Sequence, residues 1–141
     1  MLDIIQSWNA KNKLKKQLLD FLAEMEKNLE IYYVTDQRQF ITGGFTMKTW
    51  EQVEGLEMIK KHEAIGQYAT ALLNFNKSYL EHKEYEQWYT SDSKNKNNEN
   101  AKKLHALKHD LDLQLKPLEV VIITAGQVLE QELLNLGFIS H

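Results

Sequence analysis

The sequence predicts an all-α protein built as a long antiparallel three-helix up-down bundle. One proline and six glycines among 141 residues leave few positions at which a helix is forced to end. Apolar residues also recur every three or four positions along three long stretches, which is the spacing of one helix face. A chain of this length is expected to form one domain, residues 1–141, with a hydrophobic core of its own.

The first helix is expected over residues 9–42. The "ITGGFT" segment would end it, because Gly44 can adopt the left-handed conformation that favours a helix stop. Ahead of this helix, "MLDIIQSW" is interpreted as a short amphipathic turn that packs Ile4, Ile5 and Trp8. The apolar face of the helix consists of Leu14, Leu18, Phe21, Leu22, Met25, Leu29, Tyr32, Tyr33, Phe40 and Ile41.

The second helix is expected over residues 49–89. Thr49 and Gln52 match a capping box, in which each side chain satisfies the other residue's backbone donor. The apolar row of this helix alternates between spacings of three and four for most of its length, as in coiled-coil-like bundles. Residues 90–100, "TSDSKNKNNEN", contain no apolar side chain and are expected to form an exposed, mobile loop.

The third helix is expected over residues 101–136, with a kink at Pro117. Proline removes one backbone donor and clashes with the carbonyl four residues earlier, so the helix either kinks there or breaks into two. A kinked helix is favoured because polar turn residues are missing around "LQLKPLEV"; a break would give four helices. Gly137 and Phe138 then repeat the helix-stop chemistry of "ITGGFT".

Turning the chain at position 95 or 96 brings residues of the second and third helices to the same level. Gly66 would lie opposite Gly126, which favours a close backbone crossing over a ligand cleft. His82 would lie opposite His109, with His105 one turn away. These three histidines are candidate ligands for zinc or another transition metal, because ligands four residues apart point the same way from a helix. A partly buried His82 bonded to a tyrosine or a carboxylate accounts for its position without a metal.

The "HALK" sequence at residues 105–108 resembles the H-x-L-K core of histidine phosphotransfer domains, which are helical bundles of similar length. The resemblance implies that His105 accepts a phosphoryl group and that Lys108 neutralises its oxygens. It covers four residues, and the next two differ from the family. His109 stands where the family has glycine, and Asp110 stands where a small residue is expected.

Two surfaces are predicted to bind a protein partner. Tryptophan and tyrosine dominate interface hot spots, and an up-down order of helices gathers four of them at one end of the bundle. Burial of the same rings inside that end is the alternative. The second surface is the "VVIITAG" segment, which is apolar on every side and indicates either deep burial or a dimer seam. The partner-binding residues are therefore expected to be Trp8, Tyr85, Trp88, Tyr89, Val121 and Ile122.

The composition argues against several classes of function. The absence of cysteine excludes disulfides, thiol catalysis and thiolate metal sites. A net charge of −3 and a single arginine, Arg38, argue against nucleic-acid binding and against forked clamps on phosphate. No apolar run approaches the ~20 residues of a membrane span, and no basic start marks a secretory signal. A cytoplasmic protein without membrane contact is expected.

No catalytic constellation is evident, because the sequence lacks a nucleophile elbow, a glycine-rich phosphate cradle and the usual carboxylate–histidine metal motifs. The sequence therefore predicts a non-enzymatic helical module for protein interaction or self-association, without a cofactor. It would be a small accessory or regulatory protein that binds another protein or forms a homo-dimer. The alternatives are a metal-binding bundle that uses His82, His105 and His109, and histidine phosphotransfer at His105.

Overall fold

A computed structural model describes residues 2–38 and 44–140 of the chain. Its helices are α1 (Leu2–Arg38), α2 (Trp50–Val53), α3 (Glu57–Lys60), α4 (Glu63–Ser91), α5 (Asn98–Leu115) and α6 (Leu118–Asn135). No strand occurs within these residues, and the helices pack against one another. The predicted all-α helical bundle is confirmed.

The core is an apolar column shared by α1, α4 and α6. The side chains in it are almost completely shielded from solvent, which accounts for the three-four spacing of apolar residues in these helices. Its central members are Leu18, Phe21 and Met25 of α1, Ile65, Tyr68, Leu72 and Phe75 of α4, and Leu118, Ile122, Leu129 and Leu133 of α6.

The first helix begins earlier than predicted. It includes the "DIIQSW" turn, and the whole run from Asp3 to Lys13 is exposed. Burial in α1 is complete only from Leu18 onward, so the amino-terminal turns of this helix extend past the core. The predicted end of the helix at Thr42 lies outside the described residues.

The predicted second helix is three helices, interrupted at residues 54–56 and 61–62. At these interruptions Leu56 and His62 adopt extended backbone conformations. The cause is a gap of six residues between the buried Ile59 and Ile65. Six residues turn a helix by about 240°, so one continuous helix would direct these two side chains to different faces.

Thr49 is not part of a capping box. It forms no side-chain cap bond at the start of α2. Its hydroxyl instead donates to Glu24 Oε1 at 2.7 Å. The predicted cap with Gln52 is therefore wrong, because a carboxylate on another helix takes the hydroxyl.

Helix α4 runs antiparallel to α5 and α6, as predicted. Ser78 of α4 accepts a hydrogen bond from Gln114 near the end of α5, at 2.8 Å. Closer to the start of α4, His62 reaches Glu132 near the end of α6. Residue numbers therefore rise along α4 as they fall along α5 and α6.

Helix α1, however, runs in the same direction as α4. Phe21 packs edge-on against Tyr68, with ring centroids 6.0 Å apart. Further along α1, Tyr32 lines the same cavity as Phe75 and Tyr79 of α4. Residues later in α1 thus lie beside residues later in α4. The predicted alternation of direction is therefore wrong for this pair of helices.

A return segment, residues 44–49, makes the parallel arrangement possible because it carries the chain back along α1. Asn76 of α4 clamps the start of the segment: it accepts from Phe45 N and donates to Phe45 O, each at 2.8 Å. Gly44 has φ +71°, and a Cβ there would lie 2.7 Å from Asn76 Oδ1. The left-handed glycine predicted from "ITGGFT" is thus present, and it serves the return segment.

The end of the return segment is held against α1. Asn28 bonds to both backbone groups of Thr46, and Glu24 accepts hydrogen bonds from residues 46, 48 and 49. Trp50, the next residue, places its ring 5.8 Å from the ring of Phe21. The segment therefore descends along α1 from about residue 28 to about residue 21.

The predicted third helix divides into α5 and α6 at Lys116–Pro117. Both residues keep right-handed helical angles, and Pro117 O accepts from Val121 N at 3.1 Å. The chain therefore continues in one direction through the interruption. At the end of α6, Gly137 has φ +73°, and Phe138 N donates back to Leu133 O at 2.9 Å. This is the predicted helix stop with a buried phenylalanine.

The predicted loop at residues 90–100 is mostly exposed but shorter than expected. Helix α4 reaches Ser91, a 3-10 turn spans Ser93–Asn95, and α5 begins at Asn98. Side-chain bonds order this connection: Asn97 caps α5 by accepting from Asn100 N, and Asn95 Nδ2 donates to Trp88 O. Asparagine favours such local bonds to the backbone, which explains the compact turn.

The predicted close crossing at Gly66 and Gly126 is not formed. A Cβ built on either glycine meets nothing within 4 Å apart from its own helix backbone and chain neighbours. Gly66 is exposed to solvent, so it does not lie where α4 and α6 pack together.

Candidate functional site

The three histidines predicted as metal ligands do not form a metal site. His82 is partly buried and lies 3.9 Å from Glu86, one turn further along α4. His105 and His109 are exposed on α5. Within residues 2–38 and 44–140, no three His, Cys, Asp or Glu side chains are placed to hold a metal ion. The two α5 histidines are exposed to solvent, so the structure does not bring them together with His82.

The "HALK" stretch lies in the middle of α5. His105 is exposed, next to Ala101 and Lys102 in a shallow depression. The Lys108 ammonium donates to Asp112 Oδ1 at 2.8 Å. The lysine that the resemblance assigns to phosphoryl binding is therefore directed one turn forward to a carboxylate in this structure.

The aromatic residues predicted as one partner surface are separated. Tyr85 and Trp88 pack together, with ring centroids 5.4 Å apart, and the Lys103 ammonium lies 4.8 Å above the Tyr85 ring. Trp8 belongs to the opposite end of the bundle, because α1 and α4 run in the same direction. At ~1.5 Å per residue, the levels of Trp8 and Tyr85 differ by on the order of 45 Å.

The second predicted partner surface is largely inside the molecule. Ile122 is 2% exposed and belongs to the core, so it is not available to a partner in this structure. Val121 is half-buried against the same core. Val120 is the outward residue of the segment, with 67% of its surface exposed. An all-apolar stretch could not indicate which of its members faces solvent.

The amino-terminal patch, which we define as Ile4, Ile5 and Trp8, is an exposed apolar feature of α1. These side chains are 74%, 53% and 64% exposed, respectively. At 100° per residue they occupy one side of the helix, and Lys11 and Lys15 continue that side toward the core. The spacing of Ile4 and Trp8 is visible in the sequence. Their exposure, however, results from the extension of α1 past the core.

A central cavity of about 770 Å³ lies where α1, α4 and α5 meet. Tyr32, Phe75 and Leu111 form its buried lining, whereas Lys83 and Lys116 lie at its exposed edge. No pattern in the sequence indicates this cavity, because its walls come from three helices whose relative levels depend on the return segment.

A polar cluster joins the start of α4 to the end of α6. Glu132 accepts a hydrogen bond from His62 Nε2 at 3.0 Å and lies 3.2 Å from the Lys61 ammonium. The hydrogen bond from His62 is the main reason that the pKa of Glu132 lies below its ordinary value, and Lys61 adds to this effect. Burial of the carboxyl opposes the shift without reversing it. The cluster holds the interrupted stretch before α4 against α6.

Glu132→Gln is expected to lower the free energy of unfolding by about 1 kcal/mol at neutral pH. A carboxyl whose pKa is lowered by folding stabilises the fold above its unfolded pKa and loses that contribution as the pH falls through the folded pKa. The difference between wild type and variant should therefore shrink below about pH 4.5, the ordinary value for this carboxyl. Urea unfolding across pH 3 to 7 measures this difference.

Glu130→Gln provides the matched control, because Glu130 is exposed on the same helix. It should change the free energy of unfolding by less than about 0.5 kcal/mol at every pH. A Glu132→Gln effect that is constant from pH 7 to pH 3 would contradict the assignment of a stabilising, ionised Glu132.

Comparisons with protein-family models, curated proteins and solved structures were made for the whole chain. None matches. Among the helices of the described residues, none is both long enough and apolar enough to cross a membrane. The surfaces and the cavity of the chain itself are therefore the features that bear on its function.

Proposed function

We propose that this protein is a non-enzymatic helical interaction module that associates with a second copy of itself through the amino-terminal patch. The observation that carries the proposal is the exposure of Ile4, Ile5 and Trp8 on a helix that continues past the core. Transfer of the apolar surface of these side chains from water to a partner surface is favourable.

The polar side chains inside the bundle support a structural rather than a chemical role. Within the described residues, every buried side-chain nitrogen or oxygen has a hydrogen-bond partner. Glu24 and Asn28 hold the return segment, and Glu132 holds the stretch before α4. These groups are therefore engaged in maintaining the fold.

The size of the patch predicts weak association. Burial of one large apolar side chain contributes about 1.5–3 kcal/mol, so a twofold pairing of three side chains from each copy contributes roughly 9–18 kcal/mol before losses. Lost translational and rotational freedom and side-chain ordering cost about 4–15 kcal/mol or more. A dimer that forms at micromolar to submillimolar concentration is the expected outcome.

Sedimentation velocity from about 5 to about 500 µM tests the proposal, since this range brackets weak association. The wild type should shift from monomer toward dimer as concentration rises, whereas Ile4→Ser/Trp8→Ser should stay monomeric. Both substituted residues are exposed, so the variant should keep its helical circular dichroism and its melting temperature.

Leu73→Ser/Val120→Ser is the matched control, because both residues are exposed apolar side chains outside the patch. It should dimerise like the wild type. A wild type that remains monomeric at the highest concentration would contradict self-association. Equal loss of dimer in the two variants would show that general surface apolarity, and not the patch, drives it.

A further inference from the structure

The central cavity lies beside the last described turns of α1, where this helix faces α4 and α5. Tyr32 and Thr35 are on the last turns of α1 before Arg38, and they reach the level of Tyr79 in α4. Helix α4 continues to Ser91 with α5 beside it. At this level, side chains of α1, α4 and α5 together border the cleft.

The cavity combines an apolar interior with a charged edge. Tyr32, Phe75 and Leu111 supply buried aromatic and aliphatic surface, and half-buried Tyr79 and Leu115 extend it outward. Its volume of about 770 Å³ is in the range of small-molecule sites, roughly 300–1,000 Å³. Such a site holds an apolar body of one or two rings, or a chain of comparable volume.

The lysines at the edge of the cavity differ in whether they form an ion pair. Lys108 is paired with Asp112 at 2.8 Å, and Glu86 lies 3.9 Å from His82. Lys83 and Lys116, by contrast, form no ion pair with any of the side chains that the structure describes, which leave out those of residues 36–38. The exposed edge of the cavity thus has two ammonium groups available to an anion.

We infer that the central cavity binds a small amphipathic anion, with an apolar body against Tyr32, Phe75 and Tyr79 and an anionic head group at Lys83 or Lys116. The apolar wall provides most of the affinity, since it removes ligand surface from water. The lysines are hydrated, so they contribute orientation and a modest preference for a carboxylate or sulfonate over a neutral group. This activity is independent of self-association, because the patch lies at the end of α1 remote from the cavity.

A pair of fluorescent probes separates the two parts of the inference. 1-Anilinonaphthalene-8-sulfonate has an aromatic body and an anionic sulfonate, and N-phenyl-1-naphthylamine has the same body without the charge. Fluorescence titration of the wild type should give saturable one-to-one binding of both. The sulfonate should bind about fivefold more tightly, which corresponds to one water-exposed charge interaction.

Lys83→Gln/Lys116→Gln should remove this preference and leave the affinity for the neutral probe unchanged. Lys27→Gln/Lys77→Gln is the control, because it makes the same change in net charge at exposed positions outside the cavity. It should preserve the preference. A preference that survives in the first variant, or disappears in the control, would overturn the assignment of the head group.

Thr35→Met tests the position of the apolar body, because its longer side chain occupies part of the cavity. Both probes should lose at least about fivefold in affinity, with helical circular dichroism retained as evidence of folding. Ile4→Ser/Trp8→Ser should bind both probes like the wild type. The inference is overturned if neither probe binds saturably, if the folded Thr35→Met variant binds normally, or if the patch variant loses binding.

Discussion

Glu24→Ala should lower the free energy of unfolding by about 3 kcal/mol, because this carboxylate anchors the end of the return segment. It accepts from two hydroxyls, Thr46 Oγ1 at 3.0 Å and Thr49 Oγ1 at 2.7 Å, and from the backbone N–H groups of Lys48 and Thr49. Alanine leaves these donors without the acceptor, and one hydrogen bond to a charged group contributes about 1.5–3 kcal/mol net. The donors are only partly buried, so water replaces part of the lost bonding and the total stays well below four such contributions. Urea unfolding followed by circular dichroism measures the loss.

Glu26→Ala provides the comparison, because Glu26 is an exposed glutamate on the same helix. It should change the free energy of unfolding by less than about 0.5 kcal/mol. Should Glu24→Ala fail to fold, Thr49→Val removes one of the four donors and should cost about 1 kcal/mol. A loss below 1 kcal/mol in a folded Glu24→Ala protein would show that the carboxylate does not anchor the segment.

Asn28→Ala is expected to have an effect of similar size, about 3 kcal/mol, for a different reason. Asn28 is fully buried, and its amide joins three groups: it donates to Thr46 O and to Tyr68 Oη, and it accepts from Thr46 N. Alanine leaves these buried groups without partners, and each unsatisfied group costs about 1–3 kcal/mol. Thermal unfolding and urea unfolding should give the same decrease in the free energy of unfolding.

Asn74→Ala is the control for that substitution, since Asn74 is exposed on α4. It should be neutral or slightly stabilising, because alanine is the better helix former. The combination of Asn28→Ala with Glu24→Ala should cost less than the sum of the two, because both side chains hold Thr46. Strict additivity would contradict the view that they act on one segment.

Tyr68 links this polar network to the core. Burial raises the pKa of its hydroxyl, the hydrogen bond from Asn28 partly offsets the rise, and the nearby Glu24 charge adds to it. The hydroxyl therefore stays neutral wherever the protein is folded. A neutral phenol accepts from Asn28 while its ring packs against Phe21, so α1, α4 and the return segment meet at one residue.

The sequence predicts the features of this fold that depend on nearby residues. The helical periodicity, the stop at Gly137 and the antiparallel course of α4 against α5 and α6 all follow from local spacing and short connections. The interruption before α4 was not predicted, because one continuous helix was expected over residues 49–89, although the gap between Ile59 and Ile65 breaks the helical period. Irregular spacing in a row of apolar residues therefore indicates where a helix is interrupted, just as regular spacing indicates where it continues.

The direction of α1 could not be predicted in this way. Glu24 and Asn28 have no special local pattern within their helix, and their partners lie 18 to 40 residues later in the chain. The same limitation applies to the candidate sites. The spacing of Ile4 and Trp8 was visible, but the separation of Trp8 from Tyr85 and the central cavity both depend on the direction and level of α1.

The parallel course of α1 also has a consequence for the order in which the molecule can be assembled during synthesis. Helix α1 is made first, whereas its antiparallel neighbour α6 is completed only at Asn135. At typical elongation rates of 5–20 residues per second, roughly 5 to 20 s separate the two events. Throughout that interval Leu18, Phe21 and Met25 lack α6, so the nascent chain displays an apolar helix face that folding later conceals.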